Sequence, residues 1–144
     1  MPLKQTAITL KSDRPLQIHD LTEAVRRFVA FGGESDVRDG LLVIASQHTT
    51  MGVVINEKCE HLEKDMIRFL EKLVPAQGDY EHNKATVDGR PNAHSHLLSL
   101  VIPSQVTLVI AGGELQLGTW QSVFAVELDG PRPARKIHLT VLSA

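Results

Sequence analysis

Four strand-like runs close the chain with no helix-length segment between them: "QVTLVIA" (105–111), "ELQLGTW" (114–120), "QSVFAVEL" (121–128) and "RKIHLTVL" (135–142). Strands joined by so few residues cannot pair in parallel, which needs a crossover of a dozen residues or more. Gly112 and Gly113 between the first two runs fit a tight hairpin. The last third is therefore antiparallel sheet, and the rest of the chain must cover it.

The earlier segments supply that cover. "KQTAITLKS" (4–12) alternates as a strand with one polar face, and "PLQIHDL" (15–21) continues as a second short strand. Asp20 followed by Glu23 reads as a capping box for a helix through "LTEAVRRFVAF" (21–31). Leu21, Val25, Phe28 and Val29 then share one face, and Gly32 and Gly33 stop the helix. "VRDG" (37–40) is a turn. "LLVIA" (41–45) and "MGVVI" (51–55) are apolar strands flanking "SQHTT". A second helix spans "HLEKDMIRFLEKLV" (61–74), with Leu62, Met66, Phe69, Leu70 and Leu73 on its buried face, and Pro75 ends it. The polar segment 75–96 is long for so small a domain, which marks a functional loop. "HSHLLSLVI" (94–102) reads as a short third helix stopped by Pro103. Strands, helix, strands, helices, strands: the expected class is α+β, an antiparallel sheet or sandwich packed on helices, in one domain over 1–144.

Composition limits the function classes. At 42% apolar but only 4% aromatic residues, 144 residues build a real, aliphatic core without staples. A net charge of -2 argues against a dedicated nucleic-acid binder. One cysteine, Cys59, permits no internal disulfide and suits a reducing cytoplasm. The N-terminal residues show no signal-peptide pattern, and no apolar run approaches the roughly 20 residues of a membrane span. The expected setting is cytoplasmic, with neither membrane nor nucleic acid as partner.

Seven histidines are many for this length, and imidazole is the commonest protein ligand for transition metals. His48, His82, His94 and His96 lie in polar, non-repeating contexts, whereas His19 ends a strand, His61 opens a helix and His138 belongs to an alternating strand. His94 and His96 share a face if extended. On a helix they diverge by about 200 degrees, so only one faces a site. The chain holds no Cys pair, no HExxH, no Walker loop and no nucleophile elbow.

Five segments, "HTTMGVVINE", "GDYEHN", "NAHSHL", "LQLGTWQSVF" and "ELDGPR", occur in this order across nearly the whole chain. Together they resemble the YjbQ family, also called the secondary thiamine-phosphate synthase enzyme family. The resemblance implies a β-sandwich wrapped around a helix, a homotrimer, and a His-lined site. It further implies a weak ability to join a pyrimidine diphosphate to a thiazole phosphate, with release of pyrophosphate. His48, His82 and His96 match the family's metal-ligand histidines, for a divalent ion such as Zn or Mg; His94 matches less securely. Met51 stands where many members have Ala, and Glu57, Trp120 and Gln121 match family positions.

Each of these residues has a plainer reading beside the functional one. Asn56 and Glu57 close a strand and cap a helix, or Glu57 serves as general base or fourth ligand. Trp120 fills core, or walls a pocket where its indole face meets a developing cation. Thr49 and Thr50 satisfy strand-end backbone, or bind phosphate. Arg132 and Arg135 are surface charges, or guanidinium forks for phosphate. In the functional reading the catalytic group is His48, Glu57, Trp120 and Gln121, and the phosphate is held by Thr49, Thr50, Asn56 and Arg132. The ligand is then a phosphorylated small molecule. Two functions stay open: a thiamine-phosphate-synthase-like transferase, and a non-catalytic trimer that binds metal or a phosphometabolite.

Overall fold

The computed structural model describes residues 3–30 and 32–144 and carries eight strands and three α-helices within them. All strand pairings are antiparallel, in two sheets. The larger sheet runs β1(Leu3–Ser12), β8(Arg132–Ser143), β3(Gly40–Ser46), β5(Gln105–Ala111), β6(Glu114–Leu115). The smaller runs β2(Gln17–Asp20), β7(Ser122–Glu127), β4(Met51–Asn56). The two apolar strands flanking "SQHTT" thus belong to different sheets, and Gln47–Thr50 is the crossing between them.

Helix α1(Thr22–Val29) lies between the sheets. Its Leu21, Val25, Phe28 and Val29 stripe packs with Leu42, Ile44, Ile137, Leu139 and Val141 of the large sheet and Met51, Val53, Val123 and Ala125 of the small one. The expected sandwich around a helix is what forms. The capping box does not: Asp20 accepts from both the amide (2.9 Å) and the hydroxyl (2.6 Å) of Thr22, while Glu23 turns outward to Arg26. A shorter reach to the second residue wins over the three-residue one. Phe31, the expected last residue of this helix, lies outside the described residues, as do Met1 and Pro2.

The outer face of the small sheet is covered by α2(Glu60–Leu73) and α3(Ala93–Leu98), through Leu70, Leu98, Val126 and Leu128 with Leu16, Val54, Val74 and Ile102. The expected face of α2 needs correction. Leu70 is its only buried residue, and Phe69 is 61% exposed with Leu73 also in solvent. The contact stripe is rotated toward Leu70 and Val74, which join the cluster of Leu16, Val54 and Val126, so the helix meets the sheet along one short stripe. Neither Asn56 nor Glu57 caps this helix; its first turn follows Cys59, with no side-chain cap. The Gly112–Gly113 hairpin forms as expected, both glycines having positive φ (63° and 79°). No helix among the described residues is long and apolar enough to cross a membrane.

Candidate functional site

The crossing Gln47–Thr50, the start of β8 and the loop before α3 meet in one cleft of about 400 Å³. His48, Thr49 and Thr50 come from the crossing, Arg132 and Arg135 from β8, and His82, Asn92 and His96 from the polar segment 75–96. The crossing leaves a rigid core strand, so His48 is held at the sandwich rim by the buried residues before it.

Behind the cleft lie two buried acids that the sequence reading did not single out. Glu127, 0% exposed, accepts two bonds from Arg135 (2.6 and 2.8 Å), one from the Ser12 hydroxyl (2.9 Å) and the amides of Leu128 and Asp129. Burial pushes its pKa up, but these donors outweigh burial and hold it below the ordinary carboxylate value. Arg135 also donates to Thr50 Oγ1 at 2.8 Å. Asp129 is met by Arg90 (2.9 Å), Arg132 (2.6 Å) and Asn92 Nδ2 (2.8 Å). Its pKa, raised by burial, is brought down further by those three partners. Both acids sit behind the arginines, so the cleft wall presents N–H and O–H groups. The available signal was "ELDGPRPAR", two acids at a strand end followed by two arginines.

The network assigns the imidazole protons. Asn92 donates its amide N–H to Asp129, so its Oδ1 is the atom facing His82 Nε2 at 3.1 Å. His82 therefore carries its proton on Nε2, leaving Nδ1 with a lone pair. His48 is set the other way. The Lys136 amide donates to His48 Nε2 at 3.1 Å, so the neutral ring carries its proton on Nδ1. Burial, then the Arg135 charge, lowers the His48 pKa, against a smaller upward pull from Glu127. His48 is thus a neutral hydrogen-bond donor.

His94 and His96 diverge, as a helix requires. His96 lines the cleft, its ring 5.0 Å from that of His82 at 76°. His94 does not line it: its Nε2 meets Ser95 Oγ at 3.3 Å, its Nδ1 is buried without a partner, and burial lowers its pKa.

Four expected site residues lie elsewhere. Met51 pairs with Glu127 at the cleft end of the small sheet, and Asn56 pairs with Ser122 at the other. Five steps of about 3.4 Å separate those ends by about 17 Å. Asn56, Glu57, Trp120 and Gln121 all belong to the far end. There Asn56 Oδ1 accepts the Glu57 amide, Gln121 Oε1 accepts the Gly118 amide, and Trp120 stands 74% exposed. One chain does not bring them to the histidines.

A two-sheet α+β sandwich around one helix, with an arginine- and histidine-lined cleft at its rim, defines the class. The profile described as UPF0047 protein YjbQ-like matches residues 6–144, and the chain belongs to that YjbQ-like family. It is 38% identical over 130 residues to a UPF0047 protein of Archaeoglobus fulgidus, covering 90% of this chain and 95% of that one. It is 35% identical over 138 residues to the UPF0047 protein YjbQ of Salmonella typhimurium, covering 95% and 96%. Among solved structures, a YbjQ-like protein of unknown function from Sulfolobus solfataricus superposes with a TM-score of 0.92 at 28% identity, over 99% of both chains. A hypothetical protein from Aeropyrum pernix gives 0.87 at 35% identity, over 98% of this chain and 99% of that one.

Proposed function

We propose that the cleft binds the anionic group of a phosphorylated small molecule in the cytoplasm. The observation that carries this reading is the one-sided wall. His48, whose proton is on Nδ1, Thr49, Thr50 and Arg132 line it, while the compensating acids lie behind them. Donors held in place by a buried network lose little entropy on meeting phosphate oxygens. Exposed Asp88 is the one acid on the lining.

A divalent metal is part of the proposal, and the donors fit it in part. Two imidazoles on one tetrahedral ion, each nitrogen about 2.1 Å away, place their ring centres about 5 Å apart. The His82–His96 separation of 5.0 Å meets this, and Asn92 behind His82 orients the ring as a metal-bound histidine requires. His48 becomes a third ligand only by giving up the Lys136 amide. Among the described residues, no three His, Cys, Asp or Glu groups stand ready around one point. A bound ion would polarise a phosphate oxygen and stabilise a departing pyrophosphate.

The finer reading is a thiamine-phosphate-synthase-like transferase, in which Arg132 and His48 hold the leaving diphosphate. The alternative is a binder of the same ligands without turnover. Calorimetry with inorganic pyrophosphate tests the shared part. Arg132→Gln removes a charged donor and is expected to weaken binding about 10- to 100-fold. Unchanged affinity would sink the reading. Turnover of a pyrimidine diphosphate with a thiazole phosphate, lost in His48→Ala, separates transferase from binder.

Assembly as a homotrimer completes the proposal. Its support is the outer face of the large sheet, where the rows Leu3–Leu142–Leu41–Val109, Gln5–Thr140–Val43–Thr107 and Ala7–His138–Ala45–Gln105 cross four strands without an Asp, Glu, Lys or Arg. Depletion of charge is the mark of an interface centre. Sedimentation is expected to give three chain masses for the native protein and a smaller species for Val43→Lys. A native mass of one chain would rule the trimer out.

A further inference from the structure

We infer that the cleft continues into an apolar lobe that takes the non-phosphate part of the ligand, so that the protein selects phosphate monoesters carrying an apolar group. This rests on the anion reading above and deepens it. A second cavity of about 530 Å³ shares Gln47, His48, Thr49 and His96 with the first. These four residues are the waist between two lobes, and each lobe is in the size range of a small-ligand site.

The lobes differ in chemistry. Beyond the waist, the first carries His82, Asp88, Asn92, Arg132 and Arg135, with Val87 its one aliphatic side chain. The second is lined by Met51, Leu100 and Ile102 together with Ser46, Ser99 and Ser104, and no Asp, Glu, Lys or Arg reaches it. Its floor is built rather than accidental. The Ser46 amide donates to the Ser104 carbonyl (2.8 Å) and the Val53 amide to the Pro103 carbonyl (2.9 Å). Those bonds pin the segment after α3 against the ends of β3 and β4. Gly52 permits the approach, since a Cβ there would collide with Ile102 Cγ2 and sit 2.6 Å from the Pro103 oxygen. On the rim, Leu100 is 80% exposed and its side chain points to no core cluster. A ligand whose phosphate sits against Arg132 has its remaining atoms directed across the waist toward Leu100 and Ile102. Covering those side chains adds the apolar burial that phosphate alone lacks.

The test is calorimetry of the native protein with inorganic phosphate and with methyl, propyl and hexyl phosphate. Each methylene buried is expected to tighten binding about fourfold, so propyl phosphate binds about tenfold or more tighter than methyl phosphate. Leu100→Ser, at a position whose exposure spares the fold, flattens the series and leaves inorganic phosphate unchanged, and Leu100→Met restores the slope. Affinity independent of chain length overturns the lobe while sparing the anion site. A steep series that Leu100→Ser leaves steep also overturns it, because the apolar group then lies elsewhere. Failure of inorganic phosphate and every ester to bind overturns the anion reading beneath it.

Discussion

Arg135→Met is expected to destabilise the protein by about 3–5 kcal/mol, the range for removing one partner of a buried ion pair. For a domain of this size that lowers the melting temperature by about 10–20 °C. The cause is Glu127. It has no exposed surface, and Arg135 supplies two of its five donors. Methionine refills the volume of the side chain but leaves a carboxylate in the core with only a hydroxyl and two amides. The effect has a sign in pH. In the native protein the Glu127 pKa is depressed. Its contribution is present above the unfolded value near 4.3 and is lost as pH falls through the folded value. Without the guanidinium, burial governs the group and raises its pKa. The variant then gains from protonation, and its deficit relative to native narrows as pH is lowered from 7 toward 5. Melting curves of both proteins across that range, at one protein concentration, decide it. A deficit below 1 kcal/mol, or one constant with pH, would show that Arg135 is not the counter-charge on which Glu127 depends.

That pair leaves no periodic mark on the sequence. The large-sheet strands and α1 are legible because one face of each is buried, which writes a period of 2 or 3.6 into the chain, whereas β4 and β7, covered on both faces, read as continuous apolar runs. The cleft histidines were reached through the helical geometry of 94–98 and the resemblance. Glu127 and Asp129 are not legible because an acid ending an apolar strand has no period, and the partners Ser12 of the one and Asn92 of the other lie 115 and 37 positions away. The α2 face is not legible because Phe69 and Leu73 are apolar yet unseated, so composition overstates what the sheet covers. From sequence alone Asn56 and Glu57 read as cleft residues because they end the strand after "SQHTT". Register decides which end of a strand meets which loop, and only the Met51–Glu127 and Asn56–Ser122 pairings reveal it.

His96→Ala is expected to abolish most zinc affinity, while His94→Ala costs little. The two residues lie two positions apart on α3, so each variant perturbs the same short helix. They differ in direction. His96 shares the cleft with His82 at the ring spacing that one ion requires, and His94 turns away toward Ser95. Losing a residue behind a metal ligand already costs about 10- to 100-fold in affinity. Losing the ligand itself is expected to exceed that, since among the described residues no three such groups surround one point and the site has no ligand to spare. Asn92→Ala falls in the intermediate range, because it frees the His82 ring from Asp129 without removing a donor to the ion. Protons compete for the same lone pairs, so affinity falls on acidification in every variant that still binds. Zinc titration by competition with a chromophoric chelator orders the three proteins. Equal losses for His94→Ala and His96→Ala would sink the helical assignment of the ligand, since two rings about 200 degrees apart on one helix cannot hold the same ion. No zinc binding by the native protein would remove the metal from the proposal and leave the cleft with its hydrogen-bond donors alone.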